Sequence, residues 1–275
     1  MVDMIINPIT QKQLDSAKLN LSHAYLFAGP RGLGKTTIAH KFARDALGPK
    51  ATQGDFERWV MQVSPIEGKA ISSSQTAEIR KYINSKKPEH IEYKAVIIDS
   101  AEHMSPEATN SLLLSLEEPA TDTVIIMISD RPEAMLQTII SRLQKITFVP
   151  PGQSQLAKWQ KTLNLEDSVV RQIGPYPGLL RELSEQGASG YQKLNEQADE
   201  FLEGNLSSRL MIASEISDKA SAEGLIRLMS IKTKHNATIN QAWLKRSNSL
   251  ILAHIHLYNN GNPKFVLEKL ALEFE

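Results

Sequence analysis

The chain has 275 residues, 41% hydrophobic and 23% charged, the make-up of a soluble globular protein of about two domains. Its 31 basic and 31 acidic side chains cancel, so it lacks the cationic excess of a freestanding nucleic-acid binder; any DNA contact is expected to be local or shared with partners. There is no cysteine, which excludes disulfides, thiolate metal sites and a cysteine nucleophile. No run approaches the ~18 apolar residues of a membrane helix, and the opening MVDMIINPITQKQLD lacks the basic-then-apolar pattern of a leader, so a cytoplasmic protein without membrane contact is expected.

In chain order, Leu21 to Ala28 (LSHAYLFA) is a short apolar run that reads as a buried strand. A glycine-rich turn follows, then helical spacing from Thr36 to Leu47, stopped by Gly48-Pro49. Residues 50 to 70 have no clear period and read as loop. Ser74 to Ser85 is an amphipathic helix with Ile79, Tyr82 and Ile83 on one face, and Tyr93 to Asp99 (YKAVIID) a second buried strand. Ser105 caps a helix to Leu116, with Pro106 at its first position and Glu107 in its first turn; Pro119 ends it. Thr123 to Ser129 is a third buried strand, Glu133 to Ile140 a short helix and Lys145 to Val149 a fourth strand. After Pro150-Pro151-Gly152 only helical patterns remain: 154–162, 168–173, 178–185, then 191–202, 207–229, 239–258 and 263–274.

Apolar strands alternating with helices predict a parallel sheet covered on both faces. The predicted fold class is therefore α/β, with an α/β domain over residues 1–150, a small helical domain over 151–188 and a larger helical one over 189–275.

The segment Gly29-Pro30-Arg31-Gly32-Leu33-Gly34-Lys35-Thr36 is a P-loop between a strand and a helix, the context that motif requires. Glycines let the backbone turn its N–H groups around an anion, and the following helix points its positive end there. Lys35 is expected to reach the β- and γ-phosphates of ATP, and the Thr36 hydroxyl to ligate Mg²⁺. Thr37 adjoins them and reads as a helix residue more than a second metal ligand. The strand Ala95-Val96-Ile97-Ile98-Asp99 looks like a Walker B strand, whose Asp99 would hold Mg²⁺ at the carboxyl edge of the sheet. A carboxylate that polarises the attacking water often follows that aspartate; here the residue is Ser100, and Glu102 is expected to point elsewhere.

Asn110-Ser111-Leu112-Leu113-Leu114-Ser115-Leu116-Glu117-Glu118-Pro119, with Thr138-Ile139-Ile140-Ser141-Arg142 downstream, resembles the bacterial DNA polymerase III clamp loader. His23 to Phe27 before the P-loop and Asn262-Pro263-Lys264 to Glu268 in the tail are similar to it too. The resemblance implies an AAA+ ATPase domain, a three-helix lid and a C-terminal collar that oligomerises. It makes Arg142 an arginine finger, reaching a neighbouring subunit's nucleotide across a hetero-oligomer boundary. By spacing alone, an intrachain ion pair of Arg142 is the simpler reading. The family's Ser-Arg-Cys becomes Ser-Arg-Leu143. The family's four-cysteine zinc module has no counterpart in residues 50–70, so no zinc is expected. Sensor 1 falls at Ser129 or Asp130. Alignment on Pro177-Gly178-Leu179-Leu180 puts Leu179 where a sensor arginine is expected, with Arg181 two residues late. The missing glutamate and sensor arginine make the chain more similar to the delta-prime type than to the gamma/tau motors, and its length leaves no room for the long tail of the tau form. The implied partners are the gamma/tau and delta subunits, the sliding clamp indirectly, and primer-template DNA. The chain is expected to bind ATP weakly or moderately, and its own hydrolysis to be weak or absent. An active gamma/tau-type ATPase and an unrelated AAA+ remodelling ATPase are the alternatives.

Overall fold

The computed structural model describes residues 5–66, 69–160, 176–236, 241–258 and 261–274. Five parallel strands form one sheet in the order β2-β3-β4-β1-β5: β1 Ala24–Ala28, β2 Val60–Val63, β3 Lys94–Ile98, β4 Thr123–Ser129 and β5 Gln144–Thr147. Every residue of β1, β3 and β4 is buried, as an apolar run without alternation requires of a sheet covered twice.

Alternate side chains feed two cores. Tyr25, Phe27, Ile97, Ile126 and Ile146 face helices α1 (Pro8–Leu19) and α2 (Lys35–Ala46), through Leu14, Ile38 and Phe42. Leu26, Val96, Ile98 and Met127 face α4 (Ser73–Ile83) and α5 (Pro106–Glu117), through Ile79, Leu112 and Leu116. One-residue register slips would exchange the two sets, so the pairing is strongly fixed. The α/β class of the sequence reading is what the structure has.

Several elements differ from the expectation. Helix α1 has a weak apolar stripe, yet its polar groups close the sheet's edge: Thr10 Oγ1 donates to the Thr147 carbonyl at 2.8 Å and Gln13 Oε1 accepts from the Thr147 N–H at 2.7 Å. Residues 50–70 are not simply loop. They hold α3 (Gln53–Trp59), started by a reciprocal Thr52–Asp55 capping box, and the edge strand β2. Leu47, Trp59 and Ile91 form a small apolar cluster, flanked by the Arg44 guanidinium 4.3 Å from the centre of the Phe56 ring. The stretch 133–140 is a 3₁₀ turn, Pro132–Ala134, followed by α6 (Gln137–Ile140).

In the C-terminal part, α7 is Gln153–Gln160. The expected helix at 168–173 and the end of that at 154–162 lie outside the described residues. Helix α8 (Pro177–Glu203) joins what reads as two helices, because Gly187 and Gly190 are accommodated within it. Conversely 207–229 is broken at Ile216 into α9 (Leu206–Glu215) and α10 (Lys219–Asn236); Asp218 Oδ1 accepts from the Ser221 N–H at 2.8 Å and restarts the helix. Helices α11 (Gln241–Tyr258) and α12 (Pro263–Glu273) follow.

The chain forms two compact units, residues 1–156 with 175–178, and 157–174 with 179–275. The second is all-helical among the described residues, around Phe201, Leu225, Ile226, Met229, Leu250, Leu257, Leu267 and Phe274. Arg209, almost fully buried there, donates Nε to the Phe201 carbonyl at 2.8 Å, and Arg246 donates to the Leu202 carbonyl at 2.8 Å, so two cations cover the last turn of α8. Among the described residues, no helix is long and apolar enough to cross a membrane.

Candidate phosphate-binding site

The sheet order puts β4 between β1 and β3, so the carboxyl ends of these three strands deliver the glycine-rich turn, Asp99 and Ser129-Asp130 to one edge. Two glycines are obligatory. At Gly29 a Cβ would lie 2.4 Å from the Phe148 carbonyl oxygen, and Gly34, at φ 77°, caps α2 in the left-handed region without any side-chain capping bond. The first amides of α2 are thus left to an anion, and the helix dipole favours one.

Lys35 is buried at the base of the turn, its side chain 4% exposed. Its Nζ donates to the carbonyls of Gly29 at 2.7 Å and Pro30 at 2.9 Å, and to Asp130 Oδ1 at 2.6 Å. Thr36 Oγ1 donates to Asp99 Oδ2 at 2.9 Å. Leu33 is buried in the core, whereas Pro30, Arg31 and Thr37 lie at the surface, Thr37 on the far side of the helix start from the buried Lys35 and Ile38. Gly32 accepts from the Gly178 N–H at 2.7 Å; a Cβ at Gly178 would come within 2.9 Å of the Gly32 oxygen and 3.0 Å of the Gly34 nitrogen. The side chains of Leu179 and Arg181 lie outside the described residues.

Ser129 is fully buried; its carbonyl accepts from Gly29 N–H and its hydroxyl from Arg131 N–H. Its neighbour Asp130 makes the contact with Lys35. Ser100 has φ 55° and ψ 48°, the single left-handed residue other than glycine among those described, directly after Asp99. Glu102 turns toward Asp130. The 3₁₀ turn Ala101–His103 carries it to the end of β4, where its Oε1 accepts from the Asp130 N–H at 3.3 Å. Spacing alone could not reveal this, because the approach depends on the reversal at Ser100.

Arg142 follows α6. Its guanidinium donates to Glu117 Oε1 at 2.7 Å and to the Thr138 carbonyl at 2.6 Å, and the side chain is 35% exposed. The intrachain pair is therefore present, on the glutamate that ends α5. Leu143 is buried with Met135 and Ile139, which explains why an apolar residue serves after the Ser-Arg pair.

The donor set fits Mg²⁺ with a nucleoside triphosphate. Thr36 and Asp99 offer hard oxygens at one point, and no cluster of three or more His, Cys, Asp or Glu that could hold a metal by itself occurs among the described residues. A magnesium ion that takes its other ligands from phosphate and water needs no more from the protein.

Residues 7–152, over half of the chain, match the family described as DNA polymerase III, delta subunit. The tau subunit of DNA polymerase III from Bacillus subtilis is 36% identical over 152 residues, covering 50% of this chain and 27% of that protein. The delta' subunit from the same organism is 34% identical over 146 residues, covering 48% of this chain and 44% of the other. The matches thus span between about a quarter and somewhat under half of those relatives' length. The crystal structure of a DNA polymerase III gamma subunit-related protein from Thermotoga maritima superposes with a TM-score of 0.59 over 95% of this chain and 98% of that one. At 17% identity this likeness speaks for the fold alone.

Proposed function

The chain belongs to the DNA polymerase III clamp-loader family of AAA+ proteins, and from that membership we propose that it is a delta-prime-like subunit which holds ATP and lends Arg142 to a neighbouring subunit. The observation that carries the reading is the pairing of a complete cradle with an incomplete catalytic set. Gly29 to Thr36, with Asp99, provide amides, an ammonium and hard oxygens for Mg·ATP. The position after Asp99 is Ser100, in a left-handed backbone that suits a turn and offers no carboxylate. Magnesium would neutralise phosphate charge there. Lys35 would bind the β- and γ-phosphates, and Thr36 and Asp99 would hold the ion.

Arg142 serves in trans if Glu117 gives it up. The pair is partly exposed on both sides, so it is a weak tether that a triphosphate on a neighbour can outcompete. The proposed organisation is an ATPase domain over 1–150, a lid over 151–188 and a collar over 189–275. The collar reading draws on helices α11 and α12, where Ile251, Leu252, Phe265 and Leu272 are each at least half exposed, and Leu252 and Phe265 line a groove of about 210 Å³. The proposed partners are the gamma/tau and delta subunits; the sliding clamp and primer-template DNA would be met through that assembly.

An active gamma/tau-type ATPase is the second reading, favoured by the tau relative's 36% identity and by Glu102 lying beside Asp130. Calorimetric titration of the purified chain with Mg·ATP, followed by phosphate release, separates the two. The delta-prime reading expects saturable binding that Lys35→Ala removes, with negligible turnover. Robust turnover abolished by Lys35→Ala would establish the motor reading instead.

A further inference from the structure

An ammonium has three protons to donate. Those of Lys35 are matched by three acceptors between 2.6 and 2.9 Å: the Gly29 and Pro30 carbonyls and Asp130 Oδ1. With its side chain 4% exposed, Lys35 has little freedom to take a fourth partner. Two of the acceptors are neutral carbonyls of the glycine-rich turn itself and move only with it. The third is a carboxylate on a different strand end, 30% exposed and able to swing outward. A phosphate that reaches Lys35 must therefore take the place of Asp130.

The same corner adds a second carboxylate. Glu102 Oε1 accepts from the Asp130 backbone N–H, so two acidic side chains meet at the end of β4. A displaced Asp130 stays near the polyphosphate, at a cost in like-charge repulsion.

We propose that Asp130 sets the nucleotide affinity of this cradle by competing with the β- and γ-phosphates for Lys35. The inference rests on the reading of Gly29 to Thr36 as a nucleotide site and adds a residue that opposes binding there. It makes the cradle selective for ligands with enough phosphate charge to expel a carboxylate, so a triphosphate is retained and a lone phosphate is not.

The test is calorimetric titration of the full chain with Mg·ATP, comparing the natural protein with Asp130→Asn and Asp130→Ser, each checked by far-UV circular dichroism. A hydrogen bond to a charged group contributes about 1.5–3 kcal/mol, so neutralising Asp130 is expected to tighten Mg·ATP binding at least about tenfold. Equal or weaker binding by a folded variant overturns the inference while leaving the nucleotide site standing. If neither variant folds, Asp130 is a structural anchor, and the inference fails on that ground. If no protein binds millimolar Mg·ATP, the nucleotide reading falls, and the competition with it.

Discussion

At the scale of single residues, Ser100 and Lys94 show how function and fold divide the third strand. Ser100 sits at φ 55°, a region that costs an ordinary L-residue about 1–2 kcal/mol. Ser100→Val, β-branched, is expected to lose about 1–3 kcal/mol in urea unfolding, whereas Ser100→Gly should stay near the natural stability. Lys94, at the other end of the strand, is fully buried, and its Nζ donates to the carbonyls of Tyr82, Ile83 and Ser85 just where α4 ends. Burial holds its ammonium below the usual lysine range. Lys94→Ala would remove a donor from the Ile83 and Ser85 carbonyls, while that of Tyr82 keeps the Ser85 N–H and hydroxyl, and a loss of roughly 2–4 kcal/mol is expected in the same experiment. The two residues were unequally legible. Ser100 stands out in sequence as the place of a missing carboxylate. Lys94 reads as an ordinary first residue of a strand, because its partners are backbone oxygens more than eight residues away.

At the scale of elements, α3 and β2 carry the clearest departure from the sequence reading. Gly54 and a polar run hide the helix from any periodicity, and a four-residue strand with a partly exposed face has no apolar signature. Only the Thr52–Asp55 spacing could have signalled a helix start. The Asp55 carboxyl is held below the ordinary carboxylate range, first by the Thr52 backbone N–H, then by the Thr52 hydroxyl and by His90. A lowered folded-state pKa means that the cap is at full strength above the ordinary range and is lost as pH falls below it. Circular dichroism and Trp59 fluorescence should therefore report fraying of α3 in acid, and Asp55→Asn should blunt that pH dependence. The apolar cluster of Leu47, Trp59 and Ile91 does the work of holding this segment, so Trp59→Ala is expected to cost about 3–5 kcal/mol, while chelators leave the melting temperature unchanged. The strands themselves were easy to read, since β1, β3 and β4 are buried on both faces and have no polar interruption.

At the scale of the whole molecule, the sequence yielded the α/β class and, through the glycine-rich turn and Asp99, two of the strand ends that meet at the cradle, but not the sheet order that sets β4 between β1 and β3. It did not yield the helix boundaries after residue 177, where glycines inside α8 mimic a break and the break at Ile216 has no proline or glycine to mark it. Nor did it yield the occupancy of Lys35 and Arg142 by Asp130 and Glu117, contacts between residues 95 and 25 positions apart. Both key cations thus rest on carboxylates of their own chain, one in the cradle and one at the surface. In the proposed role, this subunit holds its own nucleotide and contributes to hydrolysis elsewhere. Steady-state ATP turnover of the reconstituted clamp loader tests it, with Arg142→Ala and Lys35→Ala compared side by side. An arginine finger is worth about 10³–10⁵ in rate at its own site, so Arg142→Ala is expected to remove one site's share of turnover, while Lys35→Ala changes the total by less than about twofold. Turnover that survives Arg142→Ala but collapses with Lys35→Ala would contradict the account.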